Sequence, residues 1–181
     1  MSQEEIDIDS LPDLEDLGIN IAQANVVKDK IDLLGSLDNY IKKKSKEDLL
    51  TFVRYTAPTL VTDFKMGRHI ELLCDRLQKV ADGEVKRLMV FLPPRSSKSL
   101  ITSKIFPAWY IGREPNHEIM SVSHSDQLAS DFGRSVRDIV NTEDFQKIFR
   151  GVQLRSDVKA AGKWKTNKNG SYYAAGVRSQ I

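Results

Sequence analysis

The chain has 181 residues, of which 40% are hydrophobic and 29% are charged, and its formal net charge is +2. This composition is ordinary for a globular chain of one domain with an appendage, and no apolar run approaches the roughly 18 residues that a membrane helix needs. The lone cysteine, Cys74, excludes an internal disulfide framework and suits a reducing compartment. The acidic N-terminus carries no apolar signal-peptide segment.

The charge is unevenly distributed. Residues 1–20 hold seven acidic and no basic residues, which leaves 27 basic and 18 acidic residues, a net charge of +9, in the remainder. Residues 151–181 hold six basic residues and one acidic residue. The basic remainder is either ordinary solvated surface or a body that meets phosphate or DNA. Residues 1–20 have too little apolar content to pack, so we predict a flexible acidic arm there.

A helical N-terminal region is predicted over residues 21–65. Apolar and charged positions mix over residues 21–43, which indicates a helix with a break at Gly35-Ser36. Ser45 resembles an N-cap, with Asp48 three residues later. We expect this second helix to stop near Ala57-Pro58, because a residue that precedes proline avoids the helical conformation.

Residues 66–82 have the clearest amphipathic pattern of the chain. One face of the predicted helix is apolar and consists of Ile70, Leu73, Cys74, Leu77 and Val80. Gly83 is the expected stop. Because Cys74 lies on the apolar face, we interpret it as a small buried hydrophobe rather than as a reactive thiol.

A strand, a tight turn and a helix are predicted next. Residues 88–92 are almost continuously apolar, as in a buried central strand of a parallel sheet. The turn ends at Lys98-Ser99, and the helical pattern of residues 98–106 follows at once. Pro107 should kink or end that helix.

The rest of the chain reads as a strand, two helices and a small ribbon. The strand covers residues 118–122, and a helix capped by Ser123, Ser125 or Asp126 runs to about Val140. A short helix at 143–149 has Thr142 as its candidate cap. Short strands are predicted at 152–154, 162–166 and 171–177, and Asn169-Gly170 between the last two is a strong hairpin signal.

The order of strand, turn and helix around Lys98-Ser99 is typical of a phosphate-binding P-loop. In this interpretation Lys98 reaches the phosphates and the Ser99 hydroxyl ligates Mg²⁺. The full pattern G-x-x-x-x-G-K-[ST] has glycine where this chain has Leu92 and Ser97. A serine in the left-handed region costs about 1–2 kcal/mol, which is tolerable. The candidate nucleotide-binding residues are Pro94, Arg95, Ser96, Ser97, Lys98, Ser99 and Leu100.

Four collinear stretches carry a family resemblance. They are Pro-Pro-Arg-Ser-Ser-Lys-Ser at 93–99, Phe-Pro-Ala-Trp-Tyr-Ile-Gly-Arg at 106–113, Ser-Val-Ser-His-Ser at 121–125 and Leu-Ala-Ser-Asp-Phe-Gly-Arg-Ser-Val-Arg at 128–137. Together they resemble the large terminase subunit of tailed bacteriophages, an ATP-driven motor that pumps DNA into an empty capsid. Its loop commonly reads Pro-Pro-Arg-His-Gly-Lys-Ser, so Ser96-Ser97 stand for His-Gly. The resemblance runs from about Phe52 to the last residue, Ile181.

The resemblance implies an α/β P-loop NTPase fold with a parallel sheet, incomplete at its C-terminus, a helical N-terminal appendage and a small C-terminal β-hairpin. Residues 66–181 would be a partial ATPase domain that binds ATP and Mg²⁺, with Arg95 and Lys98 as catalytic residues. Arg95 matches a family arginine thought to act in cis on the γ-phosphate. The family's Walker B carboxylates and its nuclease do not occur in this sequence. We therefore expect an N-terminal piece of a longer motor, poorly active alone.

Further expectations follow from the resemblance alone. The implied partners are double-stranded DNA, a portal protein, a small terminase subunit and copies of the chain in a homo-oligomeric ring, with no membrane. The implied location is the host cytoplasm and, transiently, the portal vertex of the capsid.

Two alternatives stay open from the residues. The chain could be another P-loop enzyme, such as a helicase-like NTPase or a kinase. With Ser97 for glycine and no Walker B strand, it could instead be a DNA-binding or assembly module that does not hydrolyse nucleotide. A serine–histidine–aspartate triad has no support, because no nucleophile elbow surrounds His117 or His124.

Overall fold

The computed structural model describes residues 21–160 and 162–177, so the predicted acidic arm at 1–20 lies outside the described residues. The described α-helices are α1 (Ile21–Glu47), α2 (Leu49–Leu60), α3 (Arg68–Ala81), α4 (Lys98–Leu100), α5 (Phe106–Arg113), α6 (Asp126–Val140) and α7 (Glu143–Ile148). The described strands are β1 (Glu118–Ser123), β2 (Leu154–Ala160), β3 (Lys163–Thr166) and β4 (Ser171–Gly176). None of the helices in these ranges is both long and apolar enough to cross a membrane.

The chain divides into two compact units, and the boundary lies within α1, between Tyr40 and Ile41. The described part of the first unit is helical from Ile21 onward. The predicted break at Gly35-Ser36 is wrong, because α1 is uninterrupted as far as Glu47. A glycine inside a helix lowers helix stability by only about 1 kcal/mol relative to alanine, and this is too little to interrupt a helix of this length.

The second unit begins with the end of α1 and with α2, where two boundary predictions are wrong. Ser45 is fully buried in the last turns of α1, and the N-cap of α2 is Asp48, whose carboxylate accepts a 2.7 Å hydrogen bond from the Thr51 amide. Pro58 lies inside α2. Near a helix end, a proline removes one hydrogen bond without breaking the helix, and α2 continues to Leu60.

The amphipathic helix predicted over 66–82 is confirmed as α3. Its buried face consists of Ile70, Leu73, Cys74 and Leu77, while Val80 is half-buried. Gly83 follows it with a φ of +79°, a left-handed conformation that favours glycine. The core of the second unit joins this face to α2, to the helical run after the loop, and to α6 and α7.

The four strands form one mixed sheet in the order β1-β4-β3-β2. Strands β1 and β4 are parallel, and the other two neighbouring pairs are antiparallel. The hairpin predicted at Asn169-Gly170 is confirmed, and Asn169 has a φ of +69°. The predicted α/β class is thus found as mixed helix and sheet, and one strand pair within the described residues is parallel.

The sheet rests on α6 through two stacked rings. Trp164 and Tyr172 are fully buried, their centroids are 5.0 Å apart and their planes differ by 2°. The Trp164 indole N–H donates a 3.2 Å hydrogen bond to the Gly133 carbonyl of α6. The side chain of Ser125 caps α6 by accepting from the Leu128 amide, as the sequence predicted among its alternatives. The cap predicted at Thr142 for α7 is also confirmed.

The strand predicted over residues 88–92 is wrong, since this segment has no regular secondary structure. Leu88, Val90 and Leu92 are half-buried against the core, whereas Met89 and Phe91 are 78% and 82% exposed. An apolar run becomes a strand only where another strand bonds to it, and the described sheet lies elsewhere in the chain.

The helix after the loop is longer than predicted. A π-helical segment (Ile101–Ile105) joins α4 to α5, so the helical run is continuous from Lys98 to Arg113. Pro107 lies within the run and does not end it, so that alternative of the prediction is wrong. Proline lacks the N–H that an α-helical bond to the Ser103 carbonyl requires. The wider π turn accommodates this loss, with the Phe106 amide donating to the Ile101 carbonyl.

Candidate functional site

The candidate site is the loop that precedes this helical run. Its backbone turns twice into the left-handed region, at Arg95 with a φ of +62° and at Ser97 with a φ of +59°. Between them, the Ser96 hydroxyl donates a 2.7 Å hydrogen bond to the Pro93 carbonyl and closes the turn. Left-handed residues in succession with right-handed ones turn backbone N–H groups toward one side, which creates a concave surface for an anion.

The helical run begins directly at the end of this loop. The Ser97 carbonyl accepts the 3.0 Å hydrogen bond from the Ile101 amide, so Lys98, Ser99 and Leu100 form the first turn. Amides of a first turn have no carbonyl one turn earlier to bond, and they carry partial positive charge. The Thr102 hydroxyl donates to the Lys98 carbonyl at 2.9 Å and leaves those amides untouched.

A cavity of about 540 Å³ lies on one side of the loop. The loop residues from Leu92 to Ser97 form one wall. The opposite wall comes from the connection between α2 and α3 and from the start of α3, and it consists of Val61, Asp63, Phe64, Lys65, His69 and Ile70. This volume lies within the roughly 300–1,000 Å³ of pockets that hold small molecules.

A second cavity of about 380 Å³ follows the loop onto the first helical turn. It is lined by Leu92, Pro93 and all seven residues that the sequence predicted for nucleotide binding, from Pro94 to Leu100. These residues are adjacent in sequence, so their proximity was expected. What the structure adds is the left-handed conformation of Arg95 and Ser97 and the two cavities that the loop lines.

The charged side chains around the two cavities are mostly basic. Lys65, Arg95 and Lys98 are cationic, and Lys98 is half-buried, whereas Lys65 and Arg95 are exposed. Asp63 is the acidic side chain in these described linings. This excess of basic over acidic side chains favours an anionic ligand, and the backbone conformation of the loop supports the same conclusion.

Sequence reasoning did not identify the wall of the larger cavity residue by residue. Asp63 has a φ of +59°, and this turn brings the following residues toward the loop. No sequence pattern predicts this left-handed turn at Asp63, because aspartate adopts left-handed conformations only occasionally.

The metal prediction concerns Ser99, which is exposed on the first helical turn. A hydroxyl oxygen is a suitable ligand for Mg²⁺, which prefers oxygen donors. No group of three or more histidine, cysteine, aspartate or glutamate side chains among the described residues could hold a metal ion. Ser99 is therefore a candidate contributor to a metal site that bound phosphates and water would complete.

Comparisons of the chain with models of known protein families, with curated proteins and with solved structures gave no match. Support for this site therefore comes from the residues themselves. The site has two left-handed turns, a helix that starts at a lysine and a serine, and two cavities that share the loop residues 92–97 and whose charged side chains are mostly basic.

Proposed function

We propose that the loop at 93–99 binds MgATP and that the chain is the ATPase part of a viral DNA-packaging motor of the large terminase type. The observation that carries the nucleotide proposal is the loop conformation. Arg95 and Ser97 are both left-handed, and Lys98-Ser99 open a helical run directly behind them. Ser97 adopts the conformation for which related loops use glycine.

Each residue of the loop has a defined role in this proposal. The backbone amides of the loop and of the first helical turn would hold the β-phosphate. Lys98 would neutralise the phosphate charge at close range, and the Ser99 hydroxyl would hold Mg²⁺. Bound Mg²⁺ supplies charge neutralisation at the phosphate oxygens during phosphoryl transfer.

Arg95 is the candidate for a cation that acts in cis. It lines both cavities and is exposed, so its guanidinium can move toward a bound triphosphate without breaking an internal contact that the structure describes. Its fixed charge would stabilise negative charge that develops during transfer. The nucleoside would occupy the larger cavity, which is continuous with the loop wall.

The remaining parts of the proposal rest on the resemblance and on the +9 charge of residues 21–181. ATP hydrolysis would drive duplex DNA into a capsid. The partners would be a portal protein, a small terminase subunit and further copies of the chain in a ring. The motor would work in the host cytoplasm and transiently at the portal vertex.

Nucleotide titrations test the central claim. A fluorescent ATP analogue with Mg²⁺ should bind the wild-type chain, and Lys98→Ala should weaken binding at least tenfold, about 1.4 kcal/mol, because the bound phosphate would lose the cation at the start of the helical run. Lys104→Ala is the matched control, since Lys104 lies on the same helical run but lines neither cavity. Equal binding by wild type and Lys98→Ala would contradict the proposal.

Phosphate release on the same samples separates hydrolysis from binding. Binding that depends on Lys98 and occurs without turnover would favour the assembly-module alternative over the motor. Turnover that single-stranded nucleic acid stimulates more than duplex does would favour a helicase-like NTPase.

A further inference from the structure

The sheet has two different faces. Trp164 and Tyr172 lie side by side in the register of β3 and β4 and are buried toward α6. The Trp164 hydrogen bond to Gly133 fixes which face α6 covers. Because side chains alternate along a strand, the neighbours of Trp164 and Tyr172 in sequence point to the opposite face.

That opposite face carries two lysines of β3, and a third lysine lies at the end of the same hairpin. Lys163 is paired with Tyr173 and Lys165 with Ser171, while Lys168 is in the turn between the strands. Lys163 and Lys168 are exposed and Lys165 is half-buried. We call the surface formed by Lys163, Lys165, Lys168, Ser171 and Tyr173 the lysine face.

The lysines of this face are available to an external anion. Within residues 21–160 and 162–177, none of the three lysines is in an ion pair with another residue. Among the described side chains, Glu118 of β1 is an acidic neighbour of this face, and it accepts a 3.1 Å hydrogen bond from the Ser171 hydroxyl. The surrounding sequence adds to the positive field, with six basic residues and one acidic residue over 151–181.

We propose that the lysine face binds the phosphate backbone of duplex DNA, an inference that extends the proposed motor function. Lysine ammonium groups bind phosphate as point charges and read no base sequence. Single strands are gripped mainly by stacking their bases on free aromatic rings. Here the Lys163 ammonium lies 5.6 Å from the centroid of the Tyr173 ring and covers that ring, so the face favours phosphates over unpaired bases.

The test measures binding of a short fluorescent duplex to the 181-residue chain without nucleotide, by anisotropy, from about 50 to about 200 mM salt. The variant is Lys163→Gln with Lys165→Gln. Each lost phosphate contact should lower the slope of log K against log salt by about 0.9, so the double variant should lose nearly two units of slope. Its affinity near 100 mM salt should fall at least tenfold, and its melting temperature should stay at the wild-type value.

Lys43→Gln with Lys44→Gln is the control, because it removes the same charge from the end of α1. An unchanged slope in the Lys163/Lys165 variant, or an equal loss in the control, would overturn the lysine face as the DNA site. Tighter binding of a single strand, or of an acidic polypeptide, that depends on the same two lysines would overturn duplex DNA as its ligand. The Lys163/Lys165 variant should bind the ATP analogue as the wild type does, because neither lysine lines the two cavities at the loop, so a failure of the nucleotide proposal and a failure of this one remain distinguishable.

Discussion

The indole N–H of Trp109 donates a 2.9 Å hydrogen bond to the main-chain carbonyl of Ser45, 64 positions earlier in the chain. Trp109 and Ser45 are both fully buried. This bond joins the last turns of α1 to α5, which continues the helical run that starts at Lys98. The candidate phosphate loop is thereby attached to a helix that is anchored at its far end in the core of the second unit.

Trp109→Phe should destabilise the second unit by about 1–3 kcal/mol, because the Ser45 carbonyl would remain buried without its donor. Urea unfolding of wild type and variant measures this difference. Tyr110→Phe is the control, since it removes a hydrogen bond between the Tyr110 hydroxyl and His117 that is exposed to water. The control should lose less than about 1 kcal/mol. An equal loss of unfolding free energy in both variants would contradict the prediction that the buried Trp109 hydrogen bond contributes more to stability than the exposed one.

Ser97→Gly should leave stability unchanged or raise it by up to about 1 kcal/mol. Glycine adopts the left-handed conformation of residue 97 without the steric cost of about 1–2 kcal/mol that serine has. Glycine also raises the conformational entropy of the unfolded chain, which destabilises the fold, but this cost is no larger than the gain. Ser96→Gly should instead destabilise the chain, because Ser96 is not left-handed and its hydroxyl bonds to Pro93. Thermal unfolding of the two variants, compared in parallel, is the measurement. A loss in Ser97→Gly as large as in Ser96→Gly would contradict the left-handed assignment.

Met89→Ser with Phe91→Ser should reduce self-association and leave stability within about 0.5 kcal/mol of wild type. Both side chains are mostly exposed, and large exposed apolar side chains next to one another favour contact with another chain. Sedimentation velocity over a concentration series measures the association. Leu88→Ser with Val90→Ser is the control from the same segment, and it should destabilise the chain, because these side chains pack on the core. Unchanged sedimentation of the Met89/Phe91 variant would contradict this prediction.

Cys74 should resist alkylation in the folded chain and react on unfolding. Burial in the core is the main cause that raises the pKa of its thiol from 9.0 to about 12, and the nearby Asp48 carboxylate adds to the effect. The folded state therefore keeps the proton at pH values where the unfolded state loses it. Stability relative to Cys74→Ala should be constant below about pH 9 and fall by up to about 1.4 kcal/mol per pH unit above it. Urea unfolding from pH 7 to 10.5 checks the sign, and a rise with pH would refute it.

Arg113 should control the ionisation of Asp82. The hydrogen bond from the Arg113 guanidinium at 2.6 Å is the main cause that holds the pKa of the Asp82 carboxyl below its ordinary value. A depressed folded-state pKa contributes stability above the unfolded pKa, and this contribution is lost as the pH falls through the folded pKa. Carbon-detected NMR titration should give a higher Asp82 pKa in Arg113→Gln than in wild type. Arg134→Gln, which removes the same charge from a more exposed pair with Asp131, should leave the Asp82 pKa unchanged.

Local rules were sufficient where the signal lies within one element. The apolar face of α3, the Ser125 and Thr142 caps and the hairpin at Asn169-Gly170 were all predicted from neighbouring residues. Each depends on contacts within a few positions along the chain, such as a side-chain oxygen that accepts from an amide three residues later. The positions of Lys98 and Ser99 at the start of a helical run belong to the same group.

The tertiary structure decided the features that depend on distant partners. In the folded chain α1 continues through Gly35, and Ser45 is buried with its carbonyl bonded to Trp109. The tertiary structure also left residues 88–92 outside the sheet and paired β1 with β4, and it placed the α2–α3 connection opposite the loop to form the larger cavity. Hydrophobic periodicity predicts which face of a helix or strand will be buried. It does not predict which other helix or strand will pack against that face. Strand pairing and cavity walls join residues far apart in sequence, so their energies appear only when the chain is folded.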